Sequence, residues 1–232
     1  MNETIYTIPI NKAFDRYDGC PACALHTGLE QASLEYIMGA AMMEPDVRIK
    51  TNRQGFCGRH LNKMLGEKNK LALALMLGSH LSDLDAGLFE RAAAAKKKDP
   101  GLNKIRADAS AVEGGCFLCG RASLFMDHYY ENIIYLWRKE PDFQDKFNRQ
   151  PFFCLPHYVK LLNASERGLT RGERAEYYRE LTNINRAYLR ALSGDLAEFC
   201  SGFDYRSAAL IPGEAAVNSV ERAVKFLSGA FE

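Results

Sequence analysis

Six of the seven cysteines of this chain fall into four short motifs. They are Cys20-Pro21-Ala22-Cys23, Cys57-Gly58-Arg59-His60, Cys116-Phe117-Leu118-Cys119 and Cys154-Leu155-Pro156-His157. A Cys-x2-Cys is followed by a Cys-x2-His, twice, with 33 residues between the two motifs in the first set and 34 in the second. Three thiolates and one imidazole fill the tetrahedron that zinc prefers. Two such sets at nearly one spacing predict two metal sites of one design. Disulfides are the other use of six cysteines, but they would leave the paired Cys-x2-His motifs without a reason. The equal spacing favours Cys20, Cys23, Cys57 and His60 as one site, and Cys116, Cys119, Cys154 and His157 as the other. Joining Cys20 and Cys23 to Cys154 and His157 across the sets is the alternative.

The correspondence extends beyond the cysteines and histidines. At an offset of 96, Glu35 falls on Glu131, Glu44-Pro45-Asp46 on Glu140-Pro141-Asp142, and Asn52-Arg53-Gln54 on Asn148-Arg149-Gln150. One inserted residue later, Phe56-Cys57 and His60 meet Phe153-Cys154 and His157. The chain therefore reads as an internal duplication. Two copies are too few for an open solenoid, so the expectation is a pseudo-symmetric all-α bundle whose halves are each clamped by one Cys3His site. The boundaries expected are an N-terminal arm at 1–18, a first helical repeat at 19–100, a second at 101–205 and a C-terminal helix at 206–232.

Composition narrows the classes. A chain of 232 residues, 47% hydrophobic and 25% charged, is ordinary for a soluble globular protein. A net charge of +1 gives no support for nucleic acid as a partner. No apolar run approaches the roughly 20 residues of a membrane span, and residues 1–18 lack the pattern of a secretory signal. Thiols kept at metal-ligand spacing point to a reducing cytoplasm.

Helical periodicity dominates; only Thr4 to Ile10 reads as a weak strand or extended arm. A first helix is expected from Cys20 to about Met43, with Leu25, Leu29, Ala32 and Tyr36 as its face. Pro45 and Pro141 suit the first turns of short helices. Cys57 and Cys154 open further helices, the latter to about Leu162, before a polar insertion at Asn163–Gly172. A long helix with the stripe Leu77, Leu81, Leu84 and Leu88 ends in a lysine run at Ala92–Lys98, read as cations at a helix C-terminus. Asp99–Gly115 is the expected junction between copies, with Asn103–Val112 a candidate helix. Later helices are expected with Phe125, Tyr129, Ile133 and Trp137, with Tyr177, Leu181, Ile184 and Tyr188, and from Pro212-Gly213 to Phe231.

Each cysteine pair falls at a helix N-terminus, where partial positive charge favours thiolate. Arg53, Arg59, Arg121 and Arg149 are near enough in sequence to offset the formal charge of −1 on a three-thiolate, one-imidazole zinc. Zinc, two ions per chain, is expected; an iron–sulfur cluster is the alternative, against which the absence of ferredoxin-like and Rieske-like spacings counts. Four protein donors leave no open position for water, so the metal is expected to be structural. No deaminase signature, phosphate loop or nucleophile–base pair is present. His26, His80 and His128 read as packed or surface histidines, Cys200 as a buried small hydrophobe, and Tyr129, Tyr130, Tyr135 and Trp137 as core. The repeated Asn-Arg-Gln suggests helix capping or hydrogen bonds to the ligating sulfurs.

With Cys20-Pro21-Ala22-Cys23, Asp46-Val47-Arg48 and Gly55-Phe56-Cys57 with His60 in place, the chain resembles a bacterial family of unknown function, DUF6062. The second set departs from that motif: Phe117 replaces the proline and Phe152 the glycine. The resemblance implies a bacterial cytosolic protein and supplies no activity. The expectation is a non-enzymatic scaffold for an unknown protein partner or a second copy, with no nucleic acid or membrane partner. The alternative is a redox- or metal-responsive sensor or electron carrier; an enzyme with an aromatic pocket is the third reading.

Overall fold

A computed structural model of the chain describes residues 6–97, 99–203 and 213–229. Among the described residues every regular element is helical. The elements are α1 (Thr7–Phe14), α2 (Pro21–Met38), a 3-10 turn at Ala40–Met43, α3 (Pro45–Gln54), α4 (Gly58–Gly66) and α5 (Lys70–Leu84). A π-helical stretch at Asp85–Phe89 leads into α6 (Glu90–Ala93), followed by α7 (Leu102–Glu113), α8 (Phe117–Lys139) and α9 (Pro141–Asn148). The chain continues as α10 (Leu155–Gly168), α11 (Arg171–Ser201), α12 (Glu214–Val217) and α13 (Ser219–Ser228).

The residues fall into two compact units, Met1–Gly28 with Phe125–Glu232, and Leu29–Leu124. Both divisions lie inside helices, α2 and α8.

The first unit is built on aromatic packing. α1 lies against α9, and Phe14 sits 4.8 Å from the Phe143 ring centroid. Phe147 reaches Phe153 at 5.0 Å and Tyr177 at 5.5 Å, and Trp137 meets Tyr177 edge-on at 5.0 Å. Buried aromatics at these spacings supply large apolar area with defined geometry. α10 and α13 pack on α11, whose start is fixed by a capping box: Thr170 accepts from Glu173 N, and Glu173 accepts from Thr170 N. The second unit packs α3 against α5 and α7, and α4 against α5. Its core is Leu34, Ile37, Met38, Val47, Met64, Leu73, Met76 and Leu118.

Several expectations need correction. Residues 7–14 form a helix, not a strand, because Thr7, Ile10 and Phe14 at helical spacing are all buried; Thr4 and Ile5 lie outside the described residues. The buried face of α2 beyond Leu29 is Glu30, Ser33, Leu34, Ile37 and Met38, while Ala32 and Tyr36 are exposed. On α5 the buried stripe is Ala72, Leu73 and Met76, one turn earlier than expected, and Leu81 is 62% exposed. Residues 163–168 continue α10, with Ala164 and Ser165 buried. Cys200 is exposed, as is Tyr135. The last helix is broken at Asn218 and stopped at Gly229, whose φ of 82° glycine adopts without a Cβ clash. Lys98, Pro212 and Phe231 lie outside the described residues.

Candidate metal centres

All four cysteine motifs stand where a helix begins. The Cys20 carbonyl accepts from Cys23 N at 3.0 Å, Cys57 from Leu61 N at 2.9 Å, Cys116 from Gly120 N at 3.0 Å and Cys154 from Tyr158 N at 2.8 Å. The first cysteine of each motif therefore heads α2, α4, α8 or α10, and the second candidate ligand lies three residues on. Unpaired N–H groups and the helix dipole favour negative charge there.

The eight side chains gather in two groups of four, crossed relative to the expectation. Cys20, Cys23, Cys154 and His157 meet in the first unit; Cys57, His60, Cys116 and Cys119 meet in the second. The local grouping that equal spacing favoured is thus overturned: each Cys-x2-Cys meets the Cys-x2-His of the other set.

Within each group the four donor atoms all lie within 4.8 Å of one another. In the buried cluster His157 Nδ1 is 3.1 Å from Cys154 Sγ, 3.3 Å from Cys23 Sγ and 3.6 Å from Cys20 Sγ. In the outer cluster His60 Nδ1 is 3.2 Å from both Cys57 and Cys116 Sγ and 3.4 Å from Cys119 Sγ. Donors on one tetrahedral zinc, at about 2.3 Å for sulfur and 2.0–2.1 Å for nitrogen, stand roughly 3.5–3.8 Å apart. The arrangement is close to that set, and each group could hold a metal ion.

Backbone clamps fix the approach to each cluster. Asn185 of α11 accepts from Phe153 N and donates to Phe153 O, both at 2.9 Å, immediately before Cys154. Gln150 donates to Phe14 O at 2.7 Å. In the second unit His80 Nδ1 meets Asn52 O at 2.7 Å, and Phe117 N donates to Gly55 O at 3.0 Å. Gly55 has φ 61° and would place a Cβ 3.2 Å from the His80 ring; a Cβ at Gly115 would fall 2.3 Å from Gln54 O. Only glycine fits that close approach beside Cys116. The repeated Asn-Arg-Gln thus acts through Asn52, bonded to Asp83 and Ser79, and through Gln150, bonded to backbone carbonyls.

Glu30 completes the outer cluster. Its carboxylate is 4% exposed and lies 2.7 Å from His60 Nε2, 2.7 Å from Arg59 and 2.8 Å from Lys63. A buried carboxylate on the far nitrogen fixes the imidazole so that Nδ1 faces the sulfurs. Of the four arginines expected to balance charge, Arg59 does so through Glu30. Arg121 lies over the Tyr36 ring and Arg149 over the Tyr17 ring, at 4.5 and 5.7 Å, and Arg53 is exposed. His157 has rings beside it instead, His26 at 6.3 Å and Tyr130 at 6.2 Å. At the offset of 96 the counterpart of Glu30 is the buried Met126.

A family model for DUF6062, described as a family of unknown function, matches residues 1–232, the whole chain. The chain belongs to this family. No curated protein and no solved structure matches it. DUF6062 carries no activity with its description, so the chemistry rests on the side chains.

Those side chains cannot all ionise together unaided. Burial pushes Cys20 up, reinforced by hydrogen bonds with Cys154 and Cys23. Burial and the hydrogen bond with Cys116 raise Cys119 to about 12. Cys154 is drawn down by Cys20, but Cys23 and burial outweigh that and hold it at about 12. Cys23 is lowered by bonds from Cys154 and Cys20. Burial opposes ionisation of Cys116, yet bonds from His60 and the backbone bring it to about 6. Thiols split this way because adjacent thiolates repel in a low-dielectric site. A divalent cation removes the conflict and turns every sulfur into a thiolate.

Proposed function

We propose that this protein is a zinc-stapled helical scaffold, in which each Cys3His cluster holds one structural zinc and the whole serves binding rather than catalysis. The observation that carries the reading is the closure of each group: three sulfurs and one imidazole nitrogen within 4.8 Å fill a tetrahedron and leave no position for water or substrate. The same distance suits one ion and is too tight for a multi-iron cluster, whose ligands sit on different irons. Glu30, Arg59 and Lys63 together carry one net positive charge. It balances the single negative charge of a zinc with three thiolates and an imidazole.

A binding role is supported by apolar side chains left on the surface of α5 and the π stretch, where Leu71, Leu81 and Phe89 are 60–68% exposed. They suit a protein partner or a second copy. Among the described residues no helix is long and apolar enough to cross a membrane. Thiolate ligands are kept by reducing surroundings, which favours the cytoplasm.

The test is elemental analysis of the anaerobically purified protein together with its visible spectrum. Two zinc per chain and no colour are expected. Iron with a visible chromophore overturns the structural-zinc reading in favour of electron transfer.

A further inference from the structure

The two clusters share a donor set but not an environment. Cys20, Cys23 and Cys154 are 6%, 7% and 0% exposed. Cys119 is exposed, and Cys57 and Cys116 are half-buried. Oxidation of a sulfur needs the oxidant to reach it, so accessibility separates thiolates of otherwise similar ligation. Cys119 also has a thiol partner at hand, with Cys57 Sγ 3.9 Å from its own sulfur.

We propose that the outer cluster is a peroxide-responsive zinc site, in which Cys119 and Cys57 close a disulfide and expel the metal while the buried cluster keeps its own. This rests on the zinc reading above. In the first step the Cys119 thiolate attacks a hydroperoxide oxygen, the O–O bond breaks, and a sulfenic acid and hydroxide form. In the second the Cys57 thiolate attacks the Cys119 sulfur, the S–S bond forms and the S–O bond breaks, releasing a second hydroxide. Two thiolates are oxidised by two electrons and one hydroperoxide is reduced. Only Cys116 and His60 would then remain as donors, too few to hold a tetrahedral zinc. The unit Leu29–Leu124 then loses the ion that ties the starts of α4 and α8 together. Because metal binding energy is also folding energy, a local oxidation becomes a loosening of that unit. A thiol reductant with zinc restores it. The buried cluster keeps the unit formed by residues 1–28 and 125–232 in place throughout.

The experiment uses the full chain carrying Cys200→Ser, because Cys200 is itself exposed and would consume oxidant. The zinc-loaded protein is treated with hydrogen peroxide, released metal is followed with a chromogenic chelator, and disulfides are mapped by peptide mass spectrometry. The expected result is release of one of two zinc ions with loss of two thiols per ion, a Cys57–Cys119 disulfide, and the second zinc freed only on denaturation. Release of both ions in one phase, retention of both, or first oxidation among Cys20, Cys23 and Cys154 overturns the proposal while leaving the zinc reading intact. A preparation without zinc shows itself before peroxide is added, and takes both down. A second measurement needs no variant of a ligand: iodoacetamide on the folded zinc protein is expected to label Cys119 ahead of Cys20, Cys23 and Cys154. Equal protection of all four overturns the proposal.

Discussion

Glu30 Oε1 lies 2.7 Å from His60 Nε2, on the edge of the imidazole away from the three sulfurs. The contact joins a residue of α2 to the outer cluster and makes His60 a better donor, since an anion on Nε2–H pushes electron density toward Nδ1. Replacing the carboxylate by an amide keeps the shape but removes the charge that Arg59 and Lys63 also face. Glu30→Gln is expected to weaken zinc at the outer cluster by about tenfold or more, leaving the buried cluster unchanged. Competition with a chelator of known affinity measures both. Unaltered affinity at the outer cluster would show that the contact does not tune the metal.

The crossed grouping makes Cys57→Ser diagnostic. Cys57 shares its cluster with Cys116 and Cys119, not with Cys20 and Cys23. The variant is expected to lose one zinc, to open Cys116 to alkylation and to quicken that of the exposed Cys119, while Cys20, Cys23 and Cys154 stay protected. If Cys20 and Cys23 became reactive instead, the pairing within each sequence set would be restored.

How much of this was legible in the residues differs from level to level. The four motifs marked all eight convergent side chains and the helix that each motif opens, because ligand spacing and helix starts are local. Pairing is not local: it depends on which motifs the fold brings together, and equal spacing within a set does not report that. Glu30 does not stand out on a face of Leu25, Leu29, Ala32 and Tyr36. It does on the face of Leu34, Ile37 and Met38, where a glutamate one turn before Leu34 is a charge in need of partners. Asn185 sits beside Ile184 on the apolar side of α11 and is legible only by the same logic. The exposure of Cys200 and Leu81 follows from which neighbours pack on α11 and α5, which periodicity does not report.

Asn185 offers a test of how the buried cluster is held. It is 6% exposed and satisfies both backbone groups of Phe153. Asn185→Ala leaves a buried N–H and C=O unpaired next to Cys154, at a cost of about 2–6 kcal/mol for the two groups. Urea denaturation of the zinc-loaded protein is expected to show that loss, with faster zinc exchange at the buried cluster and none at the outer one. A loss within about 0.5 kcal/mol, the range of neutral surface changes, would mean that water replaces the amide.

Acid should empty both centres, and the sign follows from the thiols. Without a cation, Cys119 and Cys154 hold their protons up to about 12, so zinc binding at neutral pH must displace them. Proton release on binding means that affinity falls as pH falls. His60 adds to this. Its pKa lies above the ordinary histidine value, since bonds with Cys116, Cys57 and Glu30 outweigh its burial. Protons therefore compete for the outer cluster at a higher pH than they would for an ordinary imidazole. Lowering the pH from 8 to 5 is expected to release zinc from the clusters, with a parallel drop in helical circular dichroism. Return to pH 8 with zinc should recover the signal, whereas return with a chelator should not. A flat metal content and helix signal down to pH 5 would show that neither the thiols nor His60 are exchanging protons for metal.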